Sequence, residues 1–206
     1  MRIVYGPIPA SDTLRHPDDG WTPLRESTPA RFTVAAILLT IPLMVPALLL
    51  LHAARPEIRA FFADHPVALV GFLLVLVAVV PVHEAIHALA YFQGVRSPNL
   101  IIGFWPRGGM CYVLYDAPLP RNRVLFMSAA PFLALSLAPL FCVPWMDGAP
   151  RALLVLFVLL HTTLCGGDFL VLWRLMRQIP RRAWVQNNGW QTYWTENLKL
   201  SLDELR

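Results

Sequence analysis

Charge is scarce in this sequence: acidic and basic residues together make up 15% of 206 positions, whereas hydrophobic residues make up 56%. Cysteine is scarcer still. Cys111, Cys142 and Cys165 are odd in number and no pair has metal-knuckle spacing, which argues against a disulfide scaffold and leaves them as small apolar fillers. There is no internal repeat and no low-complexity tract. The first apolar stretch begins too late and runs too long for a cleavable signal peptide, so it is expected to be a permanent membrane anchor. The formal net charge of +4 is small and is explained by where the basic residues fall along the apolar pattern, so it does not call for nucleic acid.

The apolar residues are bunched rather than spread. About 20 mostly apolar residues cross a hydrocarbon core, and runs near 32–53, 66–92, 122–146 and 151–176 qualify. The sequence therefore predicts an all-α, multi-pass membrane protein with four transmembrane helices. Residues 1–31 form an extension that reads as irregular, 32–177 the membrane domain, and 178–206 a tail that could hold a short amphipathic helix from Thr195. Of the 17 Lys and Arg residues, 14 fall before the first run, from Arg96 to Arg123 at the connection between the second and third, or from Arg174 at the end of the fourth onward. Basic residues gather on the cytoplasmic side, so both termini are expected there, with Trp173, Trp184, Trp190 and Trp194 as interfacial anchors.

Between the second and third runs, "NLIIGFWPRGGMCYVLYDAPLP" places two β-branched and aromatic stretches around Pro106-Arg107-Gly108-Gly109. Gly-Gly supplies positive φ for a reversal, which predicts a small cytoplasmic β-hairpin with strands near 100–105 and 110–115. Its exposed edge could hold a substrate as an added strand, or the hairpin could simply cover the mouth of the bundle.

The chemistry sits in "VVPVHEAIHALAYF", residues 79–92. His83 and His87 are four apart, so on a helix both imidazoles project from one face and can grip one Zn²⁺. Glu84 is placed to take a proton from a zinc-bound water. Ionisable groups inside a membrane are functional candidates by default; a snorkelling polar cluster at the helix end is the plain alternative.

Zinc wants a third protein ligand and an open position. Position 93 is glutamine, so a third histidine six residues after His87 is absent. The remaining buried candidates are His161 and Asp168. At 1.5 Å per helical residue, His87 and His83 lie about 8 and 14 Å from the cytoplasmic boundary, Asp168 about 9 Å and His161 about 20 Å. Depth favours Asp168, which also needs a cation if buried; pairing with Arg123 would serve as well. His161 could hydrogen-bond a ligand or be a polar contact within the bundle.

These residues, with the hairpin, "RVLFMSAAPFLALSL" and "GGD", resemble the site-2-protease-like intramembrane metalloproteases. The resemblance is strongest to the bacterial zincin peptidases labelled as a domain of unknown function, over roughly residues 66–177. It implies that His83, His87 and Asp168 hold zinc and that Glu84 is the catalytic base. It further implies cleavage of a membrane protein or peptide at the bacterial inner (cytoplasmic) membrane. The longer Asn-Pro-x-x-Asp-Gly signature is absent around Asp168, and no PDZ-like insertion is present. A non-proteolytic membrane scaffold that retains the metal, or a hydrolase of a non-peptide membrane substrate, fits the same motif.

Overall fold

The structure, a computed structural model, describes residues 1–14, 20–26, 28–91 and 96–198. It overturns the all-α four-span expectation. Among the described residues, six helices are accompanied by seven strands in two sheets, so the fold is mixed. Two of the described helical segments, Pro66–Ala90 and Arg121–Trp145, are long and apolar enough to cross a membrane. A third joins them only if the bent pair Gly148–Leu164 and Gly166–Gln178 is one span. The chain divides into two units, one of Thr28–His87 and Ser128–Val171, the other of Met1–Ser27, Ala88–Met127 and Leu172–Arg206.

The first unit is helical. Helix α1 runs Pro29–Asp64 and α2 Pro66–Ala90, separated by His65. The chain expected to connect the first two spans is thus itself helix. Phe92, at the end of the expected second span, lies outside the described residues. Among the described residues of α1, the apolar stretch Pro29–Pro42 is short. Along α2 an unbroken Leu/Val/Ala run exposes apolar side chains, with Val77 at 70%; such a surface matches lipid better than water. The third helical run begins as α3 (Arg121–Phe132), passes through a π turn at Leu133–Leu137 and continues as α4 (Ala138–Leu140) and a 3₁₀ turn. The Ala138 N–H donates to Leu133 O, five residues back. Pro139 comes next without an N–H of its own, which removes one competing helical bond. Helix α5 (Gly148–Leu164) packs against α1 and is followed, after a bend of 51°, by α6 (Gly166–Gln178).

The second unit holds the sheets. Strands β3 (Leu100–Trp105) and β4 (Met110–Tyr115) form the expected hairpin, turned through Pro106–Gly108 with Gly109 at φ 65°. Strand β1 (Arg2–Tyr5) pairs parallel to β3, giving the order β1-β3-β4 and occupying one edge of the hairpin. Gly103 is required there. A Cβ on it would lie 1.9 Å from the Tyr112 ring, whose hydroxyl donates to the Gly6 and Pro7 carbonyls.

The other sheet has the order β2-β7-β6-β5, from Thr22–Pro23, Gln191–Thr195, Trp184–Asn188 and Leu119–Pro120. Its β6–β7 turn uses Gly189 at φ 59°. The described part of residues 1–26 is therefore anchored rather than irregular, and polar bonds do the anchoring. Buried Asp116 accepts from Arg2 Nη2 at 2.9 Å, and Glu26 accepts from the backbone N–H of Thr192 at 2.9 Å and from its hydroxyl at 2.7 Å. Thr195 ends a strand instead of starting a helix; the remainder expected as helix, 199–206, lies outside the described residues.

Candidate metal centre

His83 and His87 are one helical turn apart on α2, so their rings leave the same face. Pro81 precedes them inside the helix. Asp168 comes from a different kind of position, the first turn of α6, immediately after the break at Cys165. There the exposed N–H groups and the helix dipole favour a carboxylate. Of the Gly166-Gly167 pair that precedes it, Gly166 has a steric reason. A Cβ on Gly166 would meet the Ala36 carbonyl oxygen at 3.1 Å and Thr40 Cγ2 at 3.0 Å, so a side chain there would push α1 away.

The three side chains converge. His83 Nε2 lies 3.2 Å from His87 Nε2 and 3.2 Å from Asp168 Oδ2, while His87 Nε2 lies 3.2 Å from Asp168 Oδ1. Ligands at zinc's bond lengths of 2.0–2.1 Å in a tetrahedron are roughly 3.3 Å apart; the two imidazole nitrogens stand at that spacing, and each faces one oxygen of the Asp168 carboxylate at the same distance, so the three side chains can share one ion. The donor set is also right: two imidazole nitrogens and a carboxylate leave a fourth position open. Asp168 Oδ2 is buried and has no hydrogen-bond partner among the described residues; its approach to His83 is close but misaligned. A buried carboxylate oxygen without a donor costs free energy, and a cation shared by the three side chains removes that cost. Among the described residues, the ion-pair partners of Asp168 are His83 and His87, not the alternative Arg123, which donates to the Tyr91 carbonyl.

Glu84 is half-buried and close enough to interact electrostatically with His83, His87 and Asp168. Two neutral imidazoles and two carboxylates sum to a charge that a divalent cation balances. The arrangement suits hydrolysis, with a carboxylate beside a metal position rather than ligating it.

His161, whose role the sequence left open, is fully buried in the last turn of α5, with Nε2 3.1 Å from His83 Nδ1. Sequence reasoning missed one neighbour, Ser136, and read another, Cys165, only as an apolar filler. Ser136, in the π turn, places its hydroxyl 2.7 Å from His161 Nδ1, and Cys165 Sγ lies 3.9 Å from the same atom. His83, His161 and Cys165 thus form a second cluster of metal-binding side chains that shares His83 with the first. The available signal for Ser136 was a lone hydroxyl in "FLALSLA", which a helix can also satisfy by bonding its own backbone.

Against known proteins, the model of a family described as "Putative zincin peptidase" matches residues 76–183, just over half the chain and including His83, Glu84, His87, Ser136, His161, Cys165 and Asp168. No curated protein and no solved structure matches.

Proposed function

The chain belongs to the zincin peptidase family, and on that premise we propose that it hydrolyses peptide bonds at or within a membrane, using zinc held by His83, His87 and Asp168. The observation that carries this reading is the convergence, at 3.2 Å, of the two imidazole Nε2 atoms on α2 with each other and each with one oxygen of the Asp168 carboxylate on α6. When bound, zinc supplies Lewis acidity, polarising a carbonyl and lowering the pKa of water. The remaining work falls to the chain itself. The two imidazoles stay neutral and present Nε2 lone pairs inward; Asp168 contributes charge and closes the third corner. Glu84 accepts a proton from the attacking water as the oxygen–carbon bond forms. It delivers that proton to the amine nitrogen as the carbon–nitrogen bond breaks.

The membrane setting is supported by the two apolar helical segments and by the exposed aliphatic surface of α2. We place the protein as a multi-pass protein of the bacterial inner membrane with cytoplasmic termini: with Pro66–Ala90 and Arg121–Trp145 as spans, 13 of the 17 Lys and Arg residues lie before the first or after the second. Its substrate would be a membrane protein or peptide, as in site-2 proteases, locally unwound so that a carbonyl is released from its helical bond. The break between α5 and α6 supports this, since discontinuous helices place polar ligands at membrane depth. The test is metal analysis and cleavage of membrane-spanning peptides by purified protein. One zinc per chain and turnover abolished by Glu84→Gln with zinc retained is the expected result; undiminished cleavage by that variant would refute the mechanism.

A further inference from the structure

We infer that Ser136 and His161 are positioning residues that lock His83 in one tautomer, with its proton on Nδ1 and its Nε2 lone pair turned to the metal. The inference rests on the zinc site proposed above. A neutral imidazole has one N–H and one lone pair. If Nε2 of His83 faces the metal, Nδ1 carries the proton and must donate it inside an apolar bundle. The acceptor in place is His161 Nε2, at 3.1 Å. A carbonyl could accept unconditionally, but an imidazole accepts at Nε2 only if its own proton sits on Nδ1. Ser136 Oγ, 2.7 Å from His161 Nδ1, is there to receive it.

The chain of groups ends on the backbone. The Thr162 hydroxyl lies 3.2 Å from Ser136 Oγ and donates to the Val158 carbonyl at 2.8 Å. His83, Ser136, His161 and Thr162 are all buried, so water does not compete for these bonds. The His161 ring is held flat against Phe157, one turn earlier on α5, with an interplanar angle of 15°. The π turn is part of the device: its added residue rotates the later side chains by about 100° around the helix axis, and that turn carries Ser136.

The experiment uses full-length protein in detergent micelles with ¹⁵N-labelled histidine. Ring nitrogen shifts report each tautomer, and competition with a coloured chelator reports zinc affinity. With zinc bound, His83 and His161 should both be protonated at Nδ1. His161→Phe, which keeps the flat ring but removes the acceptor, should weaken zinc binding about 10–100-fold. His161→Gln should stay close to wild type, because its amide carbonyl can accept in place of Nε2. Ser136→Ala should retain zinc but lose the single His161 tautomer.

His161 protonated at Nε2 in the zinc-loaded protein, or equal zinc affinity in His161→Phe and wild type, would overturn the inference. So would a second zinc, or zinc lost in Cys165→Ser, since either would put an ion on the His83, His161 and Cys165 cluster. Wild type that binds no zinc would bring down the functional reading and this inference together, a result distinct from all the others.

Discussion

His87 Nε2 and Asp168 Oδ1 stand 3.2 Å apart, one on α2 and the other in the first turn of α6. A metal between them ties two helices that are far apart in sequence, so metal removal should be felt as lost stability as well as lost turnover. An ion at 100 times its dissociation constant adds about 2.7 kcal/mol. A chelator is therefore expected to lower the melting temperature of wild type. Asp168→Asn, with similar volume but no charge, should start at the lower temperature, carry little zinc and respond little to chelation. Calorimetry with parallel metal analysis checks both.

The length of the Glu84 side chain offers a separate test. Glu84→Asp keeps a carboxylate but draws it back by one methylene. A displacement of about 1 Å can cost on the order of 10²-fold in rate. The variant is expected to lose about that much activity while binding zinc normally, as measured by single-turnover cleavage beside metal content.

Gly103→Ala should destabilise the sheet unit without touching the metal. Its methyl would occupy the space of the Tyr112 ring, 1.9 Å from the nearest ring atom. Overpacking of this kind costs about 1–3 kcal/mol. The displaced Tyr112 hydroxyl would also release the Gly6 and Pro7 carbonyls. Limited proteolysis should then cut the amino-terminal segment sooner than in wild type, with zinc content unchanged.

Burial raises the Glu26 carboxyl above its ordinary pKa of 4.5, an effect only partly offset by the two bonds from Thr192. The folded protein therefore holds this proton to a higher pH than the unfolded chain does. By linkage, the contribution to stability is complete below the ordinary value and is lost as pH rises through the raised one. Glu26→Gln keeps a carbonyl acceptor and cannot ionise, so its melting temperature should fall less across the weakly acidic range. Melting curves at a series of pH values for both proteins decide the matter.

The legible parts of this protein were those whose signals are local. Two histidines four apart announce a shared helical face, and an aspartate in an apolar run demands a partner wherever it lies. The β3–β4 hairpin was readable because its turn residues sit beside both strands. The pairing of β1 with β3 was not, because strands joined across two long helices leave no periodic trace in either. Asn188-Gly189 between "WVQN" and "QTYWT" is a hairpin signal, but its tryptophans read equally well as interfacial anchors, and the second sheet went unseen. Ser136 was hidden by geometry: a π turn changes which residues share a face, and nothing in a strict 3.6-residue repeat shows it. Arg121 was counted among loop charges; it is buried, with Nε donating to the Leu175 carbonyl and Nη2 to that of Met176. Such a role at a helix C-terminus appears only once the two segments meet.

The order of the sheets also has a consequence for synthesis. Strand β1 leaves the ribosome long before β3, and β2 long before β7, so both must wait, unpaired, while the apolar helices are being made. Assembly of the sheet unit is thus a late event. A stop codon after α6 would leave β2 and β5 without any partner strand, and the orphaned edges of such a truncated chain would be targets for quality-control proteases.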